Sequence, residues 1–213
     1  IERDADITRK LAQQGVALHA YKDQVIFEQN EILTGAGKPF SVFTPYRNAW
    51  LRKLEDSYLC AYPVEKYFSA LARSDFLNKH IYSPPSLKAI SNTLQGVPDL
   101  SMLGFQKTNL SALALPCGMS GAEKLFDSFK QRIEHYREWR DFPAIQGGSY
   151  LSTHLRFGTI SIRSLVRHAY YAGGNGAQVW LSELIWREFY KMLLYYHPYV
   201  IGHAFKPQFR YLA

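Results

Sequence analysis

The spacing of apolar residues predicts a mainly helical chain. In several segments the apolar positions recur every three or four residues, which places them on one side of an α-helix. Ser161 is typical of a helix N-cap, and the Gly-Gly-Asn-Gly run at 173–176 is typical of a loop. The predicted helices span 3–14, 45–55, 64–72, 121–139, 152–157, 161–171 and 177–196.

The first part of the chain and its proline-rich middle differ from this helical pattern. Residues 16–21 and 24–27 have the composition of short extended runs, as at the end of an α/β domain whose earlier strands lie outside this sequence. Prolines punctuate the segment from 35 to 120, which is typical of a connector between domains. We therefore predict an α/β end piece, a linker and the first part of a mainly α-helical domain, at 1–38, 39–120 and 121–213.

The helix predicted at 177–196 carries unusual side chains on one face. At about 3.6 residues per turn, Trp180, Glu183, Trp186, Arg187 and Tyr190 lie on one side, and the opposite side is apolar. Two indoles, a carboxylate and a guanidinium suit stacking on, and hydrogen bonding to, a planar ligand. The alternative is that the tryptophans belong to the core and that Glu183 and Arg187 form an ordinary surface pair one turn apart.

The charge balance adds nucleic acid to the candidate ligands. The chain of 213 residues has a formal net charge of +7. Residues 121–213 contain 12 Lys and Arg against 7 Asp and Glu, a net charge of +5. A basic surface gains affinity for phosphates through counterion release, although charge alone also fits a basic protein that binds no polyanion. Aromatic residues make up 15% of the chain, which favours flat ligands such as flavins or bases.

Other features narrow the class of protein. The sequence has no run of about 18 apolar residues, so we predict no membrane span. Cys60 and Cys117 lack metal-binding spacing and fit a reducing cytosol, so we expect a cytoplasmic protein without a metal site. The first residue is Ile1 and not Met, so we expect an internal fragment of a longer protein.

A glycine-started loop at 147–152 is a second candidate binding element. Its sequence, Gly-Gly-Ser-Tyr-Leu-Ser, leads into the helix predicted at 152–157. Such a loop presents backbone N–H groups and hydroxyls to an anion. The alternative is a plain helix N-cap, and the loop by itself does not decide between the two.

These segments, in this order, resemble the photolyase/cryptochrome family of flavoproteins. The resemblance is strongest from 136 to 196, where Tyr-Arg-Glu-Trp-Arg-Asp-Phe-Pro at 136–143 precedes the glycine loop. Glu-Leu-Ile-Trp-Arg-Glu-Phe-Tyr at 183–190 is similar to the class I cyclobutane pyrimidine dimer photolyases. Val-Phe-Thr-Pro-Tyr-Arg-Asn-Ala-Trp at 42–50 resembles the passage from the N-terminal Rossmann-like α/β domain of the family into its linker.

The resemblance implies an FAD site in the helical domain. This chain has Gly148 where photolyases commonly carry Thr, which removes one hydroxyl and leaves the backbone N–H. A second antenna chromophore, of the folate or deazaflavin type, is implied for the full-length protein. The residues that the resemblance assigns to FAD are Tyr136, Gly148, Ser149, Leu151, Ser152, Trp180 and Arg187.

The resemblance also implies a DNA substrate. Glu183 and Trp186 match the residues that face and stack against the damaged pyrimidines, and Arg140 matches an arginine at the DNA-facing rim. The implied activity is light-driven repair of pyrimidine dimers by electron transfer from reduced FAD, in a monomeric enzyme.

Two alternatives remain at this stage. One is a cryptochrome-type blue-light sensor that binds FAD without repairing DNA, and the Glu183–Trp186 combination argues against it. The other is a helical nucleic-acid-binding module without a flavin. An absorption spectrum and a repair assay distinguish the three.

Overall fold

One long helix, Gly174–Tyr196, organises the computed structural model, in which residues 2–70, 101–113 and 115–210 are described. We number the α-helices in chain order, so this helix is α8. The other α-helices are α1 Glu2–Gln13, α2 Phe43–Lys53, α3 Asp56–Leu59, α4 Gly118–Lys130, α5 Tyr136–Trp139, α6 Ser152–Phe157 and α7 Ile162–Ala172. Short 3-10 helices span Val64–Ala70, Asn109–Leu113, Ile133–His135, Pro198–Ile201 and Pro207–Phe209.

Most of the predicted helices are confirmed. The helix predicted at 152–157 has the same bounds in the structure. Ser161 occupies the predicted N-cap position of α7, although its side chain makes no capping hydrogen bond. The helices predicted at 3–14 and 45–55 are shifted by one or two residues. The one predicted at 64–72 is a 3-10 helix over Val64–Ala70, and its last two positions lie outside the described residues.

Two predictions about helix continuity were wrong, and one contact explains part of the difference. The segment 121–139 is interrupted after Lys130 by the Ile133–His135 turn, and 173–176 is not a loop because α8 begins at Gly174. A Cβ atom at Gly176 would lie 2.1 Å from the carbonyl oxygen of Ile133. The first turn of α8 therefore packs backbone against backbone on this break, which only glycine permits.

The described residues contain no β-strand. Residues 16–21 and 24–27 have no regular secondary structure, and Ile26 and Phe27 are buried. The described residues therefore show a helical fold, and the α/β end piece stays a prediction. A sheet needs a second strand as hydrogen-bond partner, and here the N–H groups of Ile26 and Phe27 donate to a side chain, Glu188, instead.

The main core surrounds α8. Its buried side is provided by Leu181, Leu184, Ile185, Phe189 and Met192. Buried residues of α2, α4 and α7 complete the cluster; they are Tyr46, Trp50, Phe129, Leu165, Val166 and Ala169.

The chain divides into two compact units. Residues 1–60 and 118–213 form one unit, and residues 61–117 form the other. The first unit therefore joins the beginning of the chain to its helical end. The domain boundaries at 1–38, 39–120 and 121–213 stay a prediction.

A buried carboxylate connects the two parts of the first unit. Glu188 on α8 is only 3% exposed. It accepts hydrogen bonds from the backbone N–H groups of Ile26 at 2.7 Å and Phe27 at 3.0 Å, and from Trp50 Nε1 at 2.7 Å. Burial raises the pKa of the Glu188 carboxyl from 4.5 to about 7, although these donors act in the opposite direction.

The raised pKa of Glu188 predicts a pH-dependent stability. The folded chain holds the Glu188 proton up to a higher pH than the unfolded chain does. This contribution is therefore fully present below about pH 4.5 and is lost as the pH rises through about 7. The glutamine in Glu188→Gln cannot ionise. As the pH rises over this range, the free energy of unfolding of the variant should therefore fall less than that of the parent, by up to about 3 kcal/mol.

Urea unfolding of both proteins at several pH values measures this difference. Tyr46, Arg187 and Lys191 interact electrostatically with Glu188, and their ordinary pKa values of 10.0, 12.5 and 10.5 lie above the pH range in which Glu188 titrates. Parallel pH profiles for the parent and Glu188→Gln would contradict the prediction.

Candidate DNA and flavin site

The exposed side of α8 carries a stack of aromatic rings. Trp186 is half-buried and lies face to face with Phe43 of α2, with ring centroids 3.7 Å apart and planes 10° apart. Tyr190, one turn further along α8, lies 5.2 Å from Trp186 at 24° and is exposed. Trp186 is therefore in stacking contact with both Phe43 and Tyr190, while part of its side chain remains open to solvent.

Glu183 lies on the same side of α8 and forms an ion pair with Arg140. The two side chains are 37% and 33% exposed, respectively. The hydrogen bond to Glu183 raises the pKa of the Arg140 guanidinium. Arg140 follows α5, and its guanidinium lies 5.7 Å from the ring centroid of Tyr136, a cation–π contact.

The partner of Glu183 differs from the surface pair considered as the alternative. Arg187 donates from Nη1 to the carbonyl oxygen of Gln24 at 2.7 Å and from Nη2 to that of Leu155 at 3.4 Å. Burial lowers the pKa of Arg187. The described contacts pair Glu183 with Arg140, 43 positions earlier in the chain, so the pair could not be read from helical spacing.

Trp180 lies in the core, separate from the open aromatic stack. It is 2% exposed and packs against Phe129, with ring centroids 4.7 Å apart, and against Phe126. Tyr136 packs edge-on against the same Phe129 at 5.6 Å. Burial is the main cause of the raised pKa of the Tyr136 hydroxyl.

The glycine loop contacts the end of α5 and the segment that precedes this helix. A Cβ at Gly147 would lie 2.6 Å from the carbonyl carbon and oxygen of Trp139, so the two backbones are in close contact. Arg132 donates from Nη2 to the carbonyl oxygen of Gly148 at 3.1 Å. Tyr150 has a positive φ of 56°, which is uncommon for a residue other than glycine.

The remaining residues of the loop divide between core and surface. Leu151 is buried, Ser149 is half-buried and Ser152 is exposed at the first position of α6. Arg187 contacts α6 through Leu155, one turn after Ser152. The structure thus brings Arg140, Tyr136, Glu183 and Trp186 together at one side of α8, while Arg187 lies beside α6.

Two residues of this region were missed at the sequence level. Glu188 occupies the apolar side of α8, four residues after Leu184 and four before Met192, and this position within an apolar repeat was a signal of burial. Phe43 lies in the 42–50 segment, but nothing in its local sequence indicates that it stacks on Trp186.

The described part of the chain has no group of three or more His, Cys, Asp or Glu residues that could hold a metal ion. Within the same residues, no helix combines the length and the apolar character needed to cross a membrane.

Comparisons with known proteins agree on one family. Residues 1–65 match the family model described as DNA photolyase. The deoxyribodipyrimidine photo-lyase of Escherichia coli is 28% identical in a match that covers 95% of this chain. The deoxyribodipyrimidine photo-lyase of Vibrio cholerae is 30% identical in a match that covers 92% of this chain. The crystal structure of a bacterial class III photolyase from Agrobacterium tumefaciens covers the whole chain with a TM-score of 0.73 and 23% identity, which shows the fold.

These comparisons support the predicted resemblance to the DNA photolyase family. The chain spans 39% of the length of each of the two relatives and 42% of the solved chain.

The close approach at Gly147 predicts a sharp difference between neighbouring glycines. Gly147→Ala should lower the free energy of unfolding by about 1–3 kcal/mol, because the new methyl group has to displace the Trp139 backbone. Gly148→Ala is the matched control, since its Cβ would meet only the Tyr150 ring at 3.8 Å, an ordinary contact. Urea unfolding of both variants tests this, and equal stabilities would contradict the close approach.

Proposed function

We propose that this chain is part of a class I-type photolyase that repairs cyclobutane pyrimidine dimers in DNA, using light and reduced FAD. The observation that carries the proposal is the combination of an Arg140–Glu183 ion pair with a partly open Trp186 on one side of α8. A planar, damaged base needs a ring to stack on and a hydrogen-bonding group at its edge, and both are present here.

The residues of the glycine loop fit a phosphate-bearing cofactor. The Ser152 hydroxyl is exposed and Ser149 is half-exposed, so both can donate to phosphate oxygens. Gly148 contributes its backbone N–H. Tyr136 supplies a half-buried ring, while buried Leu151 and Trp180 would support the site from behind. Arg187 would support the site by fixing α6 through Leu155.

FAD, when bound and reduced, supplies the electron that splits the dimer after light absorption. The task of the protein is to hold the dimer in position. Glu183 would accept a hydrogen bond from a base edge, and Trp186 would stack on the flipped base. Arg140 would compensate the Glu183 charge and contact a DNA phosphate with its remaining donors.

The wider organisation belongs to the same proposal. Residues 1–38 would end a Rossmann-like α/β domain, residues 39–120 would form the linker and residues 121–213 would begin the helical FAD domain. The full-length protein would act as a cytoplasmic monomer, with a folate or deazaflavin antenna chromophore.

A light-dependent repair assay with the full-length protein tests the function. Dimer-containing DNA should be repaired under blue or near-ultraviolet light and remain unrepaired in the dark, and the purified protein should show a flavin absorption band. A flavin band without repair would favour the cryptochrome-type sensor. Absence of both would leave a nucleic-acid-binding module.

Trp186 gives a test of stacking in the full-length protein. Trp186→Leu should weaken binding to dimer-containing DNA by about one to two decades, because base–aromatic stacking contributes roughly 1–3 kcal/mol. Trp186→Phe keeps a ring and should preserve most of the affinity. Binding isotherms and unfolding curves on both variants separate stacking from packing. A destabilised Leu variant with normal lesion selectivity would remove Trp186 from the substrate site.

Arg140 gives a test of phosphate contact. Arg140→Ala should weaken binding to damaged and undamaged DNA alike, and the slope of log affinity against log salt should fall by about one phosphate contact. Arg167→Ala on α7, another exposed arginine, is the control. Unchanged affinity at every salt concentration would leave Arg140 as an ion-pair partner of Glu183 alone.

A further inference from the structure

Helix α2 is attached to α8 at two points. At its first residue, Phe43 stacks on Trp186. At Trp50, seven residues and about 10 Å further along α2, the indole Nε1–H donates to the buried carboxylate of Glu188 at 2.7 Å.

These two points lie on different sides of α8. With about 100° of rotation per residue, Trp186 and Glu188 point about 160° apart around the helix axis. Phe189 lies between them and packs against both Phe43, at 5.8 Å, and Tyr46, at 5.1 Å. Helix α2 therefore crosses α8 over Phe189, with one contact on either side.

Both carboxylate oxygens of Glu188 accept hydrogen bonds. One oxygen accepts from Ile26 N, and the other accepts from Phe27 N and Trp50 Nε1. With 3% exposure, Glu188 is too deeply buried to contact a substrate. One path from Glu188 to the open side of α8 runs through Trp50 and along α2 to Phe43.

We propose that Glu188 is a positioning residue, which holds α2 through Trp50 and thereby sets the position of the Phe43 ring under Trp186. One face of the Trp186 indole is occupied by Phe43, so the place of that ring decides where the remaining open surface of the indole points. The consequence for lesion binding rests on the proposed function; the effect of Glu188 on Trp186 does not.

The test uses the full-length protein labelled with 5-fluorotryptophan. The resonance of Trp186 is assigned by its loss in Trp186→Phe. Glu188→Gln keeps the shape of the side chain and replaces one acceptor oxygen by an amide that cannot accept from the Trp50 or backbone donors. Leu165→Val on α7 is the control, because it removes a fully buried methylene without touching the Glu188 hydrogen bonds.

We expect Glu188→Gln to shift or broaden the fluorine resonance of Trp186. The preference of the protein for dimer-containing over undamaged DNA should fall by about three- to tenfold, because small displacements of a binding residue weaken selective contacts. Affinity for undamaged DNA should remain unchanged in Glu188→Gln, and Leu165→Val should alter neither measurement. If Glu188→Gln does not fold, Trp50→Phe removes the same indole donor and keeps a ring.

Each outcome decides one question. An unchanged Trp186 resonance would overturn the positioning role, whatever the DNA binding. A shifted resonance with unchanged lesion preference would overturn its importance for the substrate. A parent protein that does not prefer dimer-containing DNA would overturn the proposed function, while the fluorine spectra would still decide whether Glu188 positions Trp186.

Discussion

The fold of the main unit depends on the hydrogen bonding of one buried carboxylate. A carboxylate without partners is very costly in a protein interior, and Glu188 finds its partners in Ile26, Phe27 and Trp50. These donors lie about 140 to 160 positions earlier in the sequence. The early part of the chain therefore has to return to α8, which explains why residues 1–60 and 118–213 form one compact unit.

The same arrangement leaves one side of α8 partly exposed, where its side chains can contact a ligand. The apolar side is occupied by the core, and Arg187 is engaged by the carbonyl groups of Gln24 and Leu155. Glu183 therefore pairs with Arg140, which directly follows α5 and stays partly exposed. A charged pair in this position keeps hydrogen-bonding capacity toward a ligand, because neither partner is fully desolvated.

Local sequence determined the positions of the helices. The apolar repeat and the N-cap at Ser161 were sufficient to predict α6, α7 and most of α8, because helix formation depends mainly on residues three and four positions apart. The order of motifs between 136 and 190 was sufficient to indicate the resemblance to the photolyase family. Whether a helix continues or breaks was less predictable. The helix that ends at Lys130 is followed by a turn whose backbone contacts Gly176, more than 40 residues later.

Tertiary structure alone decided how the residues of one helix face are used. The sequence placed Trp180 and Trp186 on the same side of α8, yet Trp180 is buried against Phe129 and Trp186 remains partly open against Phe43. It did not give the partner of Glu183 or the donors to Glu188. Those choices depend on segments that are distant in the chain, whose approach is set by packing and by the need to satisfy buried polar groups, so no local pattern of residues could contain them.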